Sequence, residues 1–127
     1  GIRKSVNFGH TIVHAIESYF LENDNKTSLL HGEAIAAGMI LESYISKEKG
    51  LLTNEEYHEI KYIINDIFER IEFNENDINQ IIELLIYDKK NEFGKVQFAL
   101  LDGIGKIKIN QEADNELIFK AFKDYAV

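Results

Sequence analysis

Apolar residues recur along the chain with two different periods, and the change from one to the other organises it. Between residues 3 and 22, Val6, His10, Val13, His14, Ile16 and Phe20 return at three- and four-residue steps, the spacing of one helix face. The polar run Asn23-Asp24-Asn25-Lys26-Thr27-Ser28 predicts a loop, and a second helix follows from about Leu29 to Lys47. Its stretch Ala34-Ile35-Ala36-Ala37-Gly38-Met39 is apolar on every side, which predicts a helix buried all round. Gly50 stands where a glycine C-cap would end that helix, after Lys47 and Lys49. Thr53-Asn54-Glu55-Glu56 has the spacing of a capping box and predicts a third helix to about Arg70. Tyr57, Ile60, Ile63, Ile64 and Ile67 are expected to face inward from it. Asn74 or Asn76 can cap a fourth helix carrying the stripe Ile78, Ile81, Ile82 and Leu85.

The period then shortens. Lys95-Val96-Gln97-Phe98-Ala99-Leu100-Leu101 and Lys106-Ile107-Lys108-Ile109 alternate roughly, separated by Asp102-Gly103-Ile104-Gly105, and predict two short strands in a hairpin. Asp114 to Tyr125 closes the chain as an amphipathic helix. The expected fold class is mainly α, several helices and one small β-hairpin in a single domain over residues 1–127.

Composition narrows what such a domain can do. With 45% hydrophobic and 28% charged residues the chain is an ordinary globular one, too rich in Ile, Leu and Phe for a disordered tail. Cysteine is absent, which excludes disulfides and thiolate metal sites. The net charge of -8 argues against a nucleic-acid partner, although a few local Lys and Arg suffice for a phosphorylated small molecule. No apolar run approaches the roughly 18 residues of a membrane span, and no signal-peptide pattern is visible. The expectation is a cytoplasmic protein without a membrane partner. The chain opens Gly1-Ile2-Arg3-Lys4 without an initiator Met, and is expected to be one part of a longer protein.

Histidine is where the pattern becomes chemical. His10 and His14 are four apart and share a helix face, and His31 stands in Leu29-Leu30-His31-Gly32-Glu33 at the start of the buried helix. Neutral imidazole is a good zinc ligand, but a catalytic zinc takes three protein ligands and an open position, so two histidines leave the set incomplete. A histidine pair at helical spacing is also common on surfaces and in cores, and whether His10 and His31 meet depends on packing. Gly9, Gly32 and Gly38 lie within helical pattern at about 1 kcal/mol each relative to Ala, which hints at close backbone approach by a helix or by a ligand. No Gly-x-Gly-x-x-Gly follows a predicted strand, so a dinucleotide fingerprint is missing from these residues.

Two blocks, Asn7-Phe8-Gly9-His10-Thr11-Ile12-x-His14-Ala15-Ile16-Glu17 and Leu30-His31-Gly32-Glu33-Ala34-x-Ala36-x-Gly38-Met39, resemble the 3-dehydroquinate synthase family. Asp88-Lys89-Lys90-Asn91 and Leu100-Leu101-x-x-Ile104-Gly105 resemble it in the same order. The resemblance implies the C-terminal, metal- and substrate-binding domain of such an enzyme, with the NAD-binding N-terminal domain and a third, carboxylate metal ligand upstream. It implies His10 and His31 as ligands of Zn2+ or Co2+, and Asn7 and His14 as catalytic residues that contact the substrate. It implies Arg3 and one of Lys89 and Lys90 at the phosphate, and a homodimer for the full-length enzyme. The implied reaction turns 3-deoxy-D-arabino-heptulosonate 7-phosphate into 3-dehydroquinate and phosphate, in the shikimate pathway. Hydride passes transiently to NAD, phosphate leaves, hydride returns, and the opened ring closes by an aldol step. The chain departs from the family at Val13, where glycine is usual, so a β-branched side chain threatens to crowd the neighbouring helix. Another sugar-phosphate cyclase, a metal-dependent alcohol or glycerol dehydrogenase, and an inactive helical domain serving assembly or metal binding are the alternatives.

Overall fold

The computed structural model describes residues 10–22, 31–86 and 95–127. Among them are five helices, α1 (His10–Glu22), α2 (His31–Glu48), α3 (Asn54–Ile67), α4 (Glu75–Ile86) and α5 (Asn115–Tyr125). Strands β1 (Lys95–Leu101) and β2 (Ile107–Asp114) separate α4 from α5 and pair antiparallel in a two-stranded sheet. The mainly helical domain with one hairpin is therefore the fold observed.

Helix α2 is its axis. It packs against α1, α3, α5 and β1, and from Ile40 to Ser46 every residue is buried, so no face reaches water. That is what its apolar-all-round sequence requires. The helix ends in a Schellman motif: Gly50 N–H donates to Lys47 O at 3.0 Å and Leu51 N–H to Ser46 O at 2.8 Å. Gly50 has φ 79°, a conformation that costs a residue with a Cβ. Val13 lies in the core, 3% exposed, so the side chain that threatened crowding is packed rather than extruded.

Helix α3 opens on the expected capping box, with Glu56 N–H donating to Thr53 Oγ1 at 3.1 Å and Thr53 N–H to Glu56 Oε1 at 2.9 Å. It ends at Ile67, with Phe68 already extended, and not at Arg70. Two of its expected inward residues also face out: Ile63 is 50% exposed and Ile67 68%. At about 100° per residue both lie some 80–120° from the buried Tyr57, and α3 rests on α2 alone among its larger contacts, so only a narrow stripe is covered. Asn74, not Asn76, caps α4. Asp77 N–H donates to Asn74 Oδ1 at 2.7 Å, and Asn74 N–H to Asp77 Oδ2 at 2.9 Å. The other oxygen of Asp77 accepts the Tyr19 hydroxyl at 2.5 Å, so one buried carboxylate caps α4 and ties it to α1.

Strand β2 is longer than expected, running to Asp114 instead of Ile109, and Asp114 is the N-cap of α5 rather than its first residue. The register shifts between Phe98 and Leu100, a bulge that places Leu100 opposite Lys108 while Val96 faces Ala113. The turn is fixed by Asp102 N–H to Lys106 O at 2.8 Å, and Gly103 N–H reaches Leu51 O at 2.8 Å, anchoring the hairpin to the α2–α3 link.

Candidate functional site

Of the seven residues singled out for chemistry, Arg3, Asn7, Lys89 and Lys90 lie outside the described residues. His10 is the first residue of α1, and its side chain is also outside what is described. His14 follows one turn later and is exposed. His31 is the first residue of α2.

What the fold brings together is His31 and Glu17. Nδ1 of His31 lies 2.7 Å from Glu17 Oε2, with the two side chains 69% and 33% exposed. The contact follows from the α1–α2 packing, which sets the start of α2 beside the second half of α1. Glu17 stands three residues after His14 and seven after His10, so His10, His14 and Glu17 occupy one face of α1 at helical spacing. A helical side chain leans toward its helix N-terminus, which carries the Glu17 carboxylate back toward the His14 turn. Glu17 is not among the candidate site residues expected from the sequence. The usable signal was the i, i+4, i+7 series His10, His14, Glu17.

An ionised carboxylate only accepts hydrogen bonds, so the contact suits a ring that donates from Nδ1, and in the neutral ring of that tautomer Nε2 keeps its lone pair. Metal-bound histidines are held in this way by their outer nitrogen, and the His31 ring therefore fits a divalent cation. Among the described residues no group of three or more ligating side chains comes together. One imidazole with a carboxylate at its Nδ1 is what the described residues bring together here. Gly32 beside it makes no demanding approach, since a Cβ there would meet Phe68 Cε1 at 3.4 Å, ordinary packing distance.

A second ionisable cluster lies between α3 and α5. The buried Tyr57 hydroxyl donates to Asp124 Oδ2, and Lys61 Nζ donates to Asp124 O at 2.6 Å while sitting 3.5 Å from Oδ2. Burial, and then the bond to Asp124, pushes the Tyr57 phenol far above its ordinary value. Burial likewise raises Tyr44, and raises Tyr125, whose hydroxyl accepts the Ile71 N–H at 2.8 Å. Tyr57 and Tyr125 join α3 and the 68–73 segment to α5, and these bonds are structural. No described helix is long and apolar enough to cross a membrane.

Comparison with known proteins agrees with the resemblance seen in the sequence. A family model described as 3-dehydroquinate synthase C-terminal matches residues 1–91, which include both histidine blocks. The 3-dehydroquinate synthase of Parabacteroides distasonis is 39% identical over 126 residues, covering 98% of this chain and 35% of that protein. That of Picrophilus torridus is 42% identical over 118 residues, covering 92% and 33%. Among solved structures, a 2-deoxy-scyllo-inosose synthase complexed with carbaglucose-6-phosphate, NAD+ and Co2+ superimposes with a TM-score of 0.71 at 29% identity, over 93% of this chain and 32% of that one. The chain thus spans about a third of the length of the relatives it matches. Matched by its family model from residue 1 to residue 91, and aligned to a 3-dehydroquinate synthase over 98% of its length, this chain belongs to the 3-dehydroquinate synthase C-terminal family.

Proposed function

We propose that residues 1–127 form the metal- and substrate-binding domain of a cytoplasmic 3-dehydroquinate synthase, working with a nucleotide-binding domain elsewhere in a longer, homodimeric protein. The observation that carries this reading is the family match across both histidine blocks. The substrate is 3-deoxy-D-arabino-heptulosonate 7-phosphate, and the products are 3-dehydroquinate and phosphate. When bound, a divalent Zn2+ or Co2+ supplies Lewis-acid polarisation of hydroxyl and carbonyl oxygens, and NAD supplies a reversible hydride acceptor.

The residues of this chain do the holding and the proton handling. His10 and His31 provide imidazole nitrogens for the cation, with Glu17 occupying His31 Nδ1 and leaving Nε2 to serve as the ligand atom. Arg3 and Lys89 or Lys90 bind the phosphate through charge-assisted hydrogen bonds. Asn7 contacts the substrate near the reacting carbons. His14, exposed on the same face of α1 as His10, exchanges a proton at the oxygen of the departing phosphate.

A second reading, another sugar-phosphate cyclase acting on a hexose phosphate, is favoured by the structural likeness to the inosose synthase. One assay separates the two. The longer protein carrying this chain, supplied with NAD and Co2+, should release phosphate from the heptulosonate phosphate and not from glucose 6-phosphate. The reverse preference would replace the first reading by the second. The 127-residue chain by itself should release none from either.

A further inference from the structure

We infer that Glu17 is a positioning residue for His31: by accepting the Nδ1 proton it fixes the ring's tautomer and direction, so that Nε2 is offered to a divalent cation. The inference rests on the proposed role of His31 as a ligand, and goes beyond it by assigning a task to a residue outside that ligand set.

Three observations converge on Glu17. Its Oε2 lies 2.7 Å from His31 Nδ1, a short charge-assisted distance rather than a chance approach. Among the described residues His31 is the only ion-pair partner of this carboxylate, so no Lys or Arg competes for it there. Helical spacing also puts Glu17 on the face of α1 that carries His10 and His14. A histidine at the first position of a helix, 69% exposed, has few packing neighbours to hold its ring. Left alone it would sample several rotamers and both tautomers, and the tautomer protonated at Nε2 has no lone pair there for a metal. Glu17 removes that freedom before any cation arrives. The residue's own ring nitrogen, not the carboxylate, then meets the cation.

The test uses the 127-residue chain with ZnCl2 as the only added ligand. Side-chain nitrogen–proton NMR of the metal-free chain reads the His31 tautomer, and calorimetric titration reads zinc affinity. Wild type should show the proton on Nδ1. Glu17→Ala should lose that preference and weaken zinc by about 10- to 100-fold, the usual effect of removing a histidine's outer partner. Glu17→Gln, whose amide oxygen still accepts the Nδ1 proton, should recover the tautomer and most of the affinity. If Glu17→Gln keeps the tautomer yet loses as much zinc affinity as Glu17→Ala, Glu17 is itself a ligand and the positioning role is wrong. If His31→Ala weakens zinc while both Glu17 variants bind as wild type, the positioning role falls and the ligand role stands. If His31→Ala binds zinc as wild type does, the ligand role fails, and the inference fails with it.

Discussion

The two ends of α2 are built for different purposes. From Ile40 to Ser46 the helix is sealed on every side by α1, α3, α5 and β1, and even Glu42, Ser43 and Ser46 are inside. Thirteen ångströms or so earlier along the same axis, at about 1.5 Å per residue, His31 opens the helix with most of its ring in water and one carboxylate at its side. One end is closed off from water, and the other leaves an imidazole exposed. Functional groups held on a rigid element but outside its core can be changed without unfolding the scaffold, and that separation is what the comparison predicts.

The largest effect should come from the sealed end. Leu41→Ala removes a side chain with no exposure and should cost about 2–5 kcal/mol in urea unfolding. A cost below about 1 kcal/mol would mean that α2 is not the axis of the core. Asp77→Ala should come next, at about 1–3 kcal/mol, since it removes the carboxylate that accepts the Asn74 N–H at the start of α4 and the hydrogen bond of the buried Tyr19 hydroxyl to that carboxylate. Tyr19→Phe with Asp77→Ala should cost less than the two single changes added together.

High pH probes the same packed region through the phenols. Tyr44, Tyr57 and Tyr125 are all raised in the folded chain, while an unfolded tyrosine ionises near pH 10. Above that value the unfolded state has shed protons that the folded state keeps, so it binds fewer and gains on the folded state. Stability from these groups is therefore whole below about pH 10 and falls as pH climbs toward the folded values. Urea midpoints measured from about pH 8 to about pH 11 should decline only at the alkaline end, and Tyr57→Phe should flatten the decline. A flat profile in wild type would contradict the burial of these rings.

The smallest effect belongs to the open end. His14→Ala and His31→Ala should each change stability by less than about 0.5 kcal/mol, because both side chains are exposed. A loss as large as that of Leu41→Ala would erase the distinction between the two ends.

How much of this was legible beforehand depended on whether a feature is local. The capping box at Thr53 and Glu56, the glycine end of α2 and the hairpin each follow from a few neighbouring residues, and the structure keeps all three. The all-round burial of α2 was equally plain, because an apolar helix has no other place to go. Ile63 and Ile67 misled because an isoleucine-rich helix has more apolar surface than α2 can cover, and sequence does not say which part is left over. Strand β2 was cut short because Asn110-Gln111-Glu112 interrupts the apolar alternation, whereas a ribbon covered on one side pairs through its backbone regardless. Glu17 went unnoticed for a similar reason. One carboxylate among 22 acidic residues acquires meaning only when α1 and α2 pack and His31 arrives beside it.

The identity of the zinc ligands is the point on which the functional reading stands or falls. Calorimetric zinc titration of the 127-residue chain, with His10→Ala, His14→Ala and His31→Ala beside wild type, tests it directly. Two imidazoles fill at most half of a four-coordinate shell, so wild type should bind weakly, and His10→Ala and His31→Ala should each abolish most of that binding. His14→Ala should keep it. Loss of binding in His14→Ala with no change in His31→Ala would make the site a simple i, i+4 pair on α1, and the ligand assignment proposed for this family member would be wrong.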